Sequence, residues 1–184
     1  MRTLSDHIFD LIQNSINAGA QNIHVVVEED IPNNLFKICI KDDGHGIKPE
    51  HLSRVKDTFF TTRPRGKRHV GLGLALMDAT CQRSGGNLAI DSEYRRGTTI
   101  TATMKHDHTD RPPIGDIPDM FASLMSSTVE NKILWTLEHI YNGKRYTLKN
   151  RATKDDLNLF SYTEPGAREK LYELIIRKEE EIHH

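Results

Sequence analysis

Between Leu4 and Ala18 the apolar residues Leu4, Ile8, Leu11, Ile12 and Ile16 recur at intervals that gather them on one face of a helix. Ser15 falls with them, while His7, Asp10, Asn14 and Asn17 fall on the other side. Asp10 and Asn14 stand one turn apart, so their oxygens can converge on one object, and neither is long enough to snorkel to solvent as Lys or Glu would. "IHVVVEED" and "LFKICIKD" flank a turn at Pro32, Asn33 and Asn34 and predict a hairpin; the second segment alternates apolar and polar residues. "PEHLSRVKD" places a Pro at a helix start, residues 61–70 are polar and basic, and "GLGLALMDATCQRSGG" predicts a helix stopped by Gly85 and Gly86. "NLAIDS" and "TTITATM" predict two more strands.

Residues 1–105 therefore read as an α/β (α+β) unit, a two-layer sandwich of a mixed sheet with helices on one face. "HDHTDRPPIGDIP" interrupts the periodicity with Pro and turn residues, which places a linker at 106–118. In 119–184, "KILWTLEHIY" and "KRYTLKN" flank Asn142-Gly143, a strong hairpin signal, and residues 165–182 form a charged helical pattern. This region reads as a small accessory hairpin and helix.

The 25 Lys and Arg balance 26 Asp and Glu, leaving no field to attract nucleic acid or an acidic membrane surface. Cys39 and Cys81 show no metal or CxxC spacing and read as reduced core thiols. No apolar run approaches the ~20 residues of a membrane span. A soluble cytoplasmic protein, binding neither nucleic acid nor membrane, is expected.

Three loops add candidate chemistry. "DDGHGI" (42–47) places an Asp at a strand end before two glycines, "GLGL" (71–74) opens a helix whose free N–H groups suit phosphate, and "RGTTI" (96–100) puts hydroxyls at a strand start. Each alone is more readily a structural turn than a ligand site, and the Gly pattern is not a P-loop.

In combination and in this order, these segments resemble the GHKL ATP-binding superfamily of gyrase, heat-shock chaperones, histidine kinases and MutL proteins. "DLIQNSINAGA" is similar to its N box, "DDGHGI" and "GLGL" to its two glycine boxes, "DTFFTTR" to its phenylalanine box, and "GGNLAIDSEYRRGTTITATM" to the closing strands of a histidine-kinase catalytic domain. The whole chain, including "DRPPIGDI", resembles stand-alone bacterial ATP-binding proteins of the superfamily. The resemblance implies a Bergerat-type fold with ATP and Mg2+ as cofactors. It implies Asn14 as the magnesium ligand, Asp10 as the base acting on water, and Asp42 as acceptor from the adenine amino group, with Gly44 and Gly46 keeping the pocket open beside the base. It further implies Thr99, or its neighbour Thr98, as the hydroxyl holding an adenine-side water, and Thr62, Arg63, Lys67, Gly71 and Gly73 as lid and phosphate contacts.

Asp10 stands where these ATPases usually carry Glu, so its carboxylate reaches one methylene less far. No phosphoacceptor helix is read ahead of the N box, which points to a phosphoryl acceptor on a separate partner protein. The expected function is that of a Mg-ATP-dependent signalling protein that phosphorylates this partner or slowly hydrolyses ATP. The alternative is a nucleotide-gated binding module without turnover.

Overall fold

Thr3 opens the first helix, α1 (Leu4–Asn17), with a capping box: its hydroxyl accepts from the Asp6 N–H, and the Asp6 carboxylate accepts from the Thr3 N–H at 2.8 Å. The computed structural model describes residues 3–57, 72–127, 133–157, 161–162 and 164–184. After α1 come β1 (Asn22–Asp30), β2 (Leu35–Asp42), a single turn α2 (Pro49–Leu52), α3 (Gly73–Arg83), β3 (Leu88–Glu93) and β4 (Gly97–Lys105). The chain continues with α4 (Ile117–Ser127), β5 (Leu134–Tyr141), β6 (Lys144–Lys149), α5 (Asn150–Asp156) and α6 (Ala167–His183).

The strands form one mixed sheet in the order β3-β4-β2-β1-β5-β6, antiparallel except where β5 runs parallel to β1. Alternation assigns its faces. Ile23, Val25 and Val27 of β1, Phe36, Ile38 and Ile40 of β2 and Ile100, Ala102 and Met104 of β4 are buried in one core with Leu4, Ile8, Leu11 and Ile12 of α1 and Met77 and Cys81 of α3. On the opposite face Asn22, His24, Val26, Lys37, Cys39, Lys41, Thr99 and Thr101 are half-buried or exposed. The expected two-layer arrangement, with helices on one face of a mixed sheet, is what the chain adopts.

The region after residue 118, read from sequence as a small accessory unit, adds β5 and β6 to that same sheet. Asn142 and Gly143 both take positive φ (47° and 85°) in the hairpin turn, as the Asn-Gly pair requires. The linker is tied to the start of α1: Leu4 and Ser5 donate their N–H groups to Pro113 O and Ile114 O, each at 2.9 Å, satisfying donors that a helix N-terminus leaves open. Two helices lie where the sequence reading placed none. In α4, Ile117, Met120, Phe121, Leu124 and Met125 are buried, a helical spacing that follows directly on the Pro-rich segment. In α5, only Thr153 among the side chains described is buried.

At the far end of the helix-covered face a charged cluster is buried. His139, 1% exposed, sits between two carboxylates, with Nδ1 2.8 Å from Glu179 of α6 and Nε2 3.3 Å from Glu29 of β1. Glu29 also meets His106 Nε2 at 2.8 Å, and Tyr146 donates its hydroxyl to Glu179. Burial disfavours the charged imidazole, but the Glu179 and Glu29 carboxylates outweigh it and raise the His139 pKa to about 9. Burial likewise opposes the Glu29 carboxylate, and hydrogen bonds from His139 and His106 nevertheless hold its pKa below the usual value.

Candidate functional site

The opposite end of the same face holds the predicted site. Asp42 ends β2 in phase with Phe36, Ile38 and Ile40, so its side chain turns toward α1 and is buried, 7% exposed. Ser15 Oγ donates to Asp42 Oδ2 at 2.6 Å, and the Gly44 N–H donates to Oδ1 at 2.9 Å. Each carboxylate oxygen can accept more than one hydrogen bond, so capacity remains for a donor from a ligand. Ser15 was legible only as a member of the apolar face of α1; the signal was a lone hydroxyl among Leu11, Ile12 and Ile16.

The two glycines of "DDGHGI" are held by close backbone packing. A Cβ on Gly44 would stand 2.8 Å from Ala18 Cβ, and one on Gly46, whose φ is +65°, would stand 2.2 Å from Glu93 O. His45 N–H donates to Ala18 O at 2.9 Å and its carbonyl accepts from Arg95 N–H at 2.7 Å. The loop is thus clamped between the end of α1 and the β3–β4 turn. Next to it, Asp43 accepts from Gln21 N–H, Asn22 N–H and Asn22 Nδ2 at 2.7, 2.8 and 2.6 Å. Partial burial pushes the Asp43 pKa up, but these hydrogen bonds, that of the Asn22 side chain foremost, hold it below the ordinary aspartate value.

Asp10 and Asn14 are half-buried on α1 and face the start of α3. A Cβ on Gly73 would lie 3.5 Å from Asp10 Cβ and 4.0 Å from Asn14 Nδ2, so the bare first residue of α3 lets its N-terminus approach the pair. Free N–H groups at that helix start favour an anion, and the carboxylate and amide oxygens beside it are the hard donors that Mg2+ takes. Among the described residues no group of three or more His, Cys, Asp or Glu is placed to hold a metal, so a cation here would complete its shell with phosphate and water oxygens. The structure therefore brings Asp10, Asn14 and Gly73 together, with Asp42 and Gly44 farther along α1. His7, read from periodicity as part of the polar stripe, is buried.

The sequence reading offered Thr99 or its neighbour Thr98, and register separates the two, with Thr99 on the side away from Asp42. Thr99 pairs with Lys41, and alternation sends Lys41 and Asp42 to opposite sides. Thr98 pairs directly with Asp42 and shares its face. Its Oγ1 is 3.0 Å from Ser92 Oγ, which accepts from the Ile47 N–H and donates to Gly97 O. Either hydroxyl can be the donor between Ser92 and Thr98, and in both arrangements Thr98 keeps acceptor capacity for a further donor. Thr62, Arg63, Lys67 and Gly71 lie outside the described residues.

The fold defines the chain as an α/β sandwich, a mixed six-stranded sheet layered with helices. The family of histidine kinase-, DNA gyrase B- and HSP90-like ATPases matches residues 2–108, and the chain belongs to that family. It is similar to sensor protein SrrB of Staphylococcus aureus strains NCTC 8325 / PS 47 and COL, 44% identical to each over 66 residues, or 34% of this chain and 11% of the relative. The chain thus spans about a tenth of the length of these curated relatives. Among solved structures, the N-terminal domain of a DNA repair protein matches with a TM-score of 0.56 at 16% identity, covering 91% of this chain and 58% of that one, a likeness of fold. Among the described residues, no helix is long and apolar enough to cross a membrane.

Proposed function

We propose that the chain binds Mg-ATP between α1 and the glycine loops and transfers the terminal phosphoryl group to a separate partner protein, or slowly to water. The observation that carries this reading is Asp42: a buried carboxylate aimed at α1, fixed by Ser15 and Gly44, with acceptor capacity left over. Such a group accepts from the exocyclic amine of adenine and repels the carbonyl oxygen that guanine presents at the same place. Thr98, in place of Thr99, supplies the neighbouring hydroxyl. Asn14 offers its oxygen to Mg2+, which when bound draws charge from the phosphate oxygens. Asp10 orients the attacking group or takes its proton, while Gly73 and the lid residues Thr62, Arg63, Lys67 and Gly71 contact the phosphates. Similarity to sensor proteins supports a signalling role and a protein partner.

A second reading rests on Asp10. With one methylene less than Glu, its carboxylate stands back from the attacking group, and the same site then serves as a nucleotide-gated docking module. Calorimetric titration with ATP and GTP in the presence of Mg2+, followed by transfer of γ-label to candidate partners, tests both. ATP is expected to bind in preference to GTP, and Asp42→Asn to weaken ATP by roughly 1.5–3 kcal/mol, the range for a hydrogen bond to a charged group. Equal affinity for the two nucleotides would remove the adenine assignment. Binding without any transfer or hydrolysis would favour the docking module.

A further inference from the structure

The sheet ends in two edge strands, β3 and β6, and the chain treats them differently. At β3, Lys56 donates to Leu88 O and pairs with Asp78 at 3.1 Å, while the Ile47 N–H donates to Ser92 Oγ at 2.9 Å, so residues on both sides of α2 fasten that segment to the strand. On β6 the ladder decides where the backbone groups point. The N–H groups of Leu134 and Asn142 donate to Gln21 O and Glu29 O at 2.7 and 2.8 Å, so the even-numbered residues of β5 bond to β1, and Leu137, His139 and Tyr141 turn theirs to β6. Their partners Leu148, Tyr146 and Lys144 point back to β5, and alternation turns the N–H groups of Arg145, Thr147 and Lys149 outward. These three residues are exposed, whereas Tyr146 and Leu148 are buried. Among the described residues no backbone acceptor meets the three N–H groups. Such an edge is a template for pairing with another chain.

Charge narrows what can pair there. β6 carries Lys144, Arg145 and Lys149 and no acid. Glu138 of β5 pairs with Arg145 at 3.3 Å, while Lys144 and Lys149 have no ion pair among the described residues. A strand laid along the edge therefore meets a cation toward each end, with Thr147 between them. A second copy of β6 fits poorly: in full antiparallel overlap Arg145 of each copy faces Lys149 of the other, and like charges directly opposite are destabilising. An extended segment with acidic residues at alternate positions fits, because its carboxylates share the open face with Arg145 and Lys149 while its backbone completes the ladder.

We propose that β6 is a docking edge for an extended acidic segment of a partner protein, which adds to the sheet as a further strand. The test is amide hydrogen exchange on the full chain with a blocked synthetic peptide of the length of β6 that alternates Glu and Val. The peptide should saturably slow exchange of the Arg145, Thr147 and Lys149 N–H groups, with and without ATP, so the inference stands apart from the nucleotide reading. The same peptide with Lys in place of Glu should bind at least tenfold more weakly. Thr147→Pro removes the central outward N–H and no ladder bond, a change that an edge position tolerates, and should abolish binding. The double variant Lys144→Glu, Lys149→Glu, at exposed side chains, should weaken binding at least tenfold with an unchanged melting temperature, and it decides the matter if Thr147→Pro does not fold. Equal affinity for the Lys peptide or in the double variant overturns the assignment, as does slowing confined to other strands or binding retained in a folded Thr147→Pro. Protection of the three N–H groups in the chain alone would show an edge already covered, or self-pairing if it grows with protein concentration, and either result also overturns it.

Discussion

Asp10 and Asn14 share one face of α1, yet their chemistries separate them. An amide oxygen can serve a metal ion but cannot take up a proton, whereas a carboxylate can do both. Asn14→Ala is therefore expected to weaken Mg-dependent nucleotide binding, while Asp10→Ala leaves binding nearly intact and removes turnover. Comparison of ATP affinity with and without Mg2+, alongside the single-turnover rate, checks the division. Wild-type turnover in Asp10→Ala would mean that the carboxylate is not the base. Cys81 shows the opposite case of a chemically capable group that its surroundings silence. Burial and the nearby Asp78 push its thiol up to about 11, so it titrates as a packed core residue rather than a nucleophile.

At the scale of elements, the site depends on how closely backbones approach. Gly97 has φ +120° at the start of β4, and a Cβ there would stand 2.0 Å from Asp42 O. Gly97→Ala should destabilise the fold by about 1–3 kcal/mol from backbone strain alone and also weaken ATP, because the strand end that carries Asp42 must move. Thermal unfolding and a nucleotide titration of the same variant measure the two effects; a stable variant with normal ATP affinity would mean that the contact is not needed. This packing explains what sequence could convey. An Asp at a strand end followed by Gly-x-Gly announced the loop, and period-two alternation announced β2. The side of the sheet on which each hydroxyl of "GTT" lies was not legible, since that depends on register with β2 rather than on the segment itself. Nor could the pattern of "ILWTLEHIY" reveal that it would lie parallel to β1: alternation specifies a buried face, not a neighbour. Ser15 was hidden for a related reason, as its partner is 27 positions away.

Over the whole molecule, the cluster at Glu29, His139 and Glu179 couples the end of the ATP-binding sheet to α6. In-phase alternation puts Glu29 after Val25 and Val27, and His139 after Trp135 and Leu137, on the buried face, so the sequence contained charges at core positions without saying which would meet. Burying these groups is tolerable only because each finds an opposite partner, and removing one member leaves its neighbours uncompensated. The pH dependence follows from the two shifts. His139, raised from 6.5 to about 9, contributes stability that is complete below pH 6.5 and disappears as pH rises through 9. Glu29, held below its ordinary 4.5, contributes stability present above that value and lost as pH falls through its lowered pKa. Stability from this cluster should therefore be greatest between pH 4.5 and 6.5, with the alkaline decline worth about 3 kcal/mol. His139→Gln should be less stable near neutrality, and its denaturant midpoint should change far less between pH 6.5 and 9 than that of wild type. If both proteins lose stability in parallel over that interval, the charge on His139 is not what fastens α6 to the sheet.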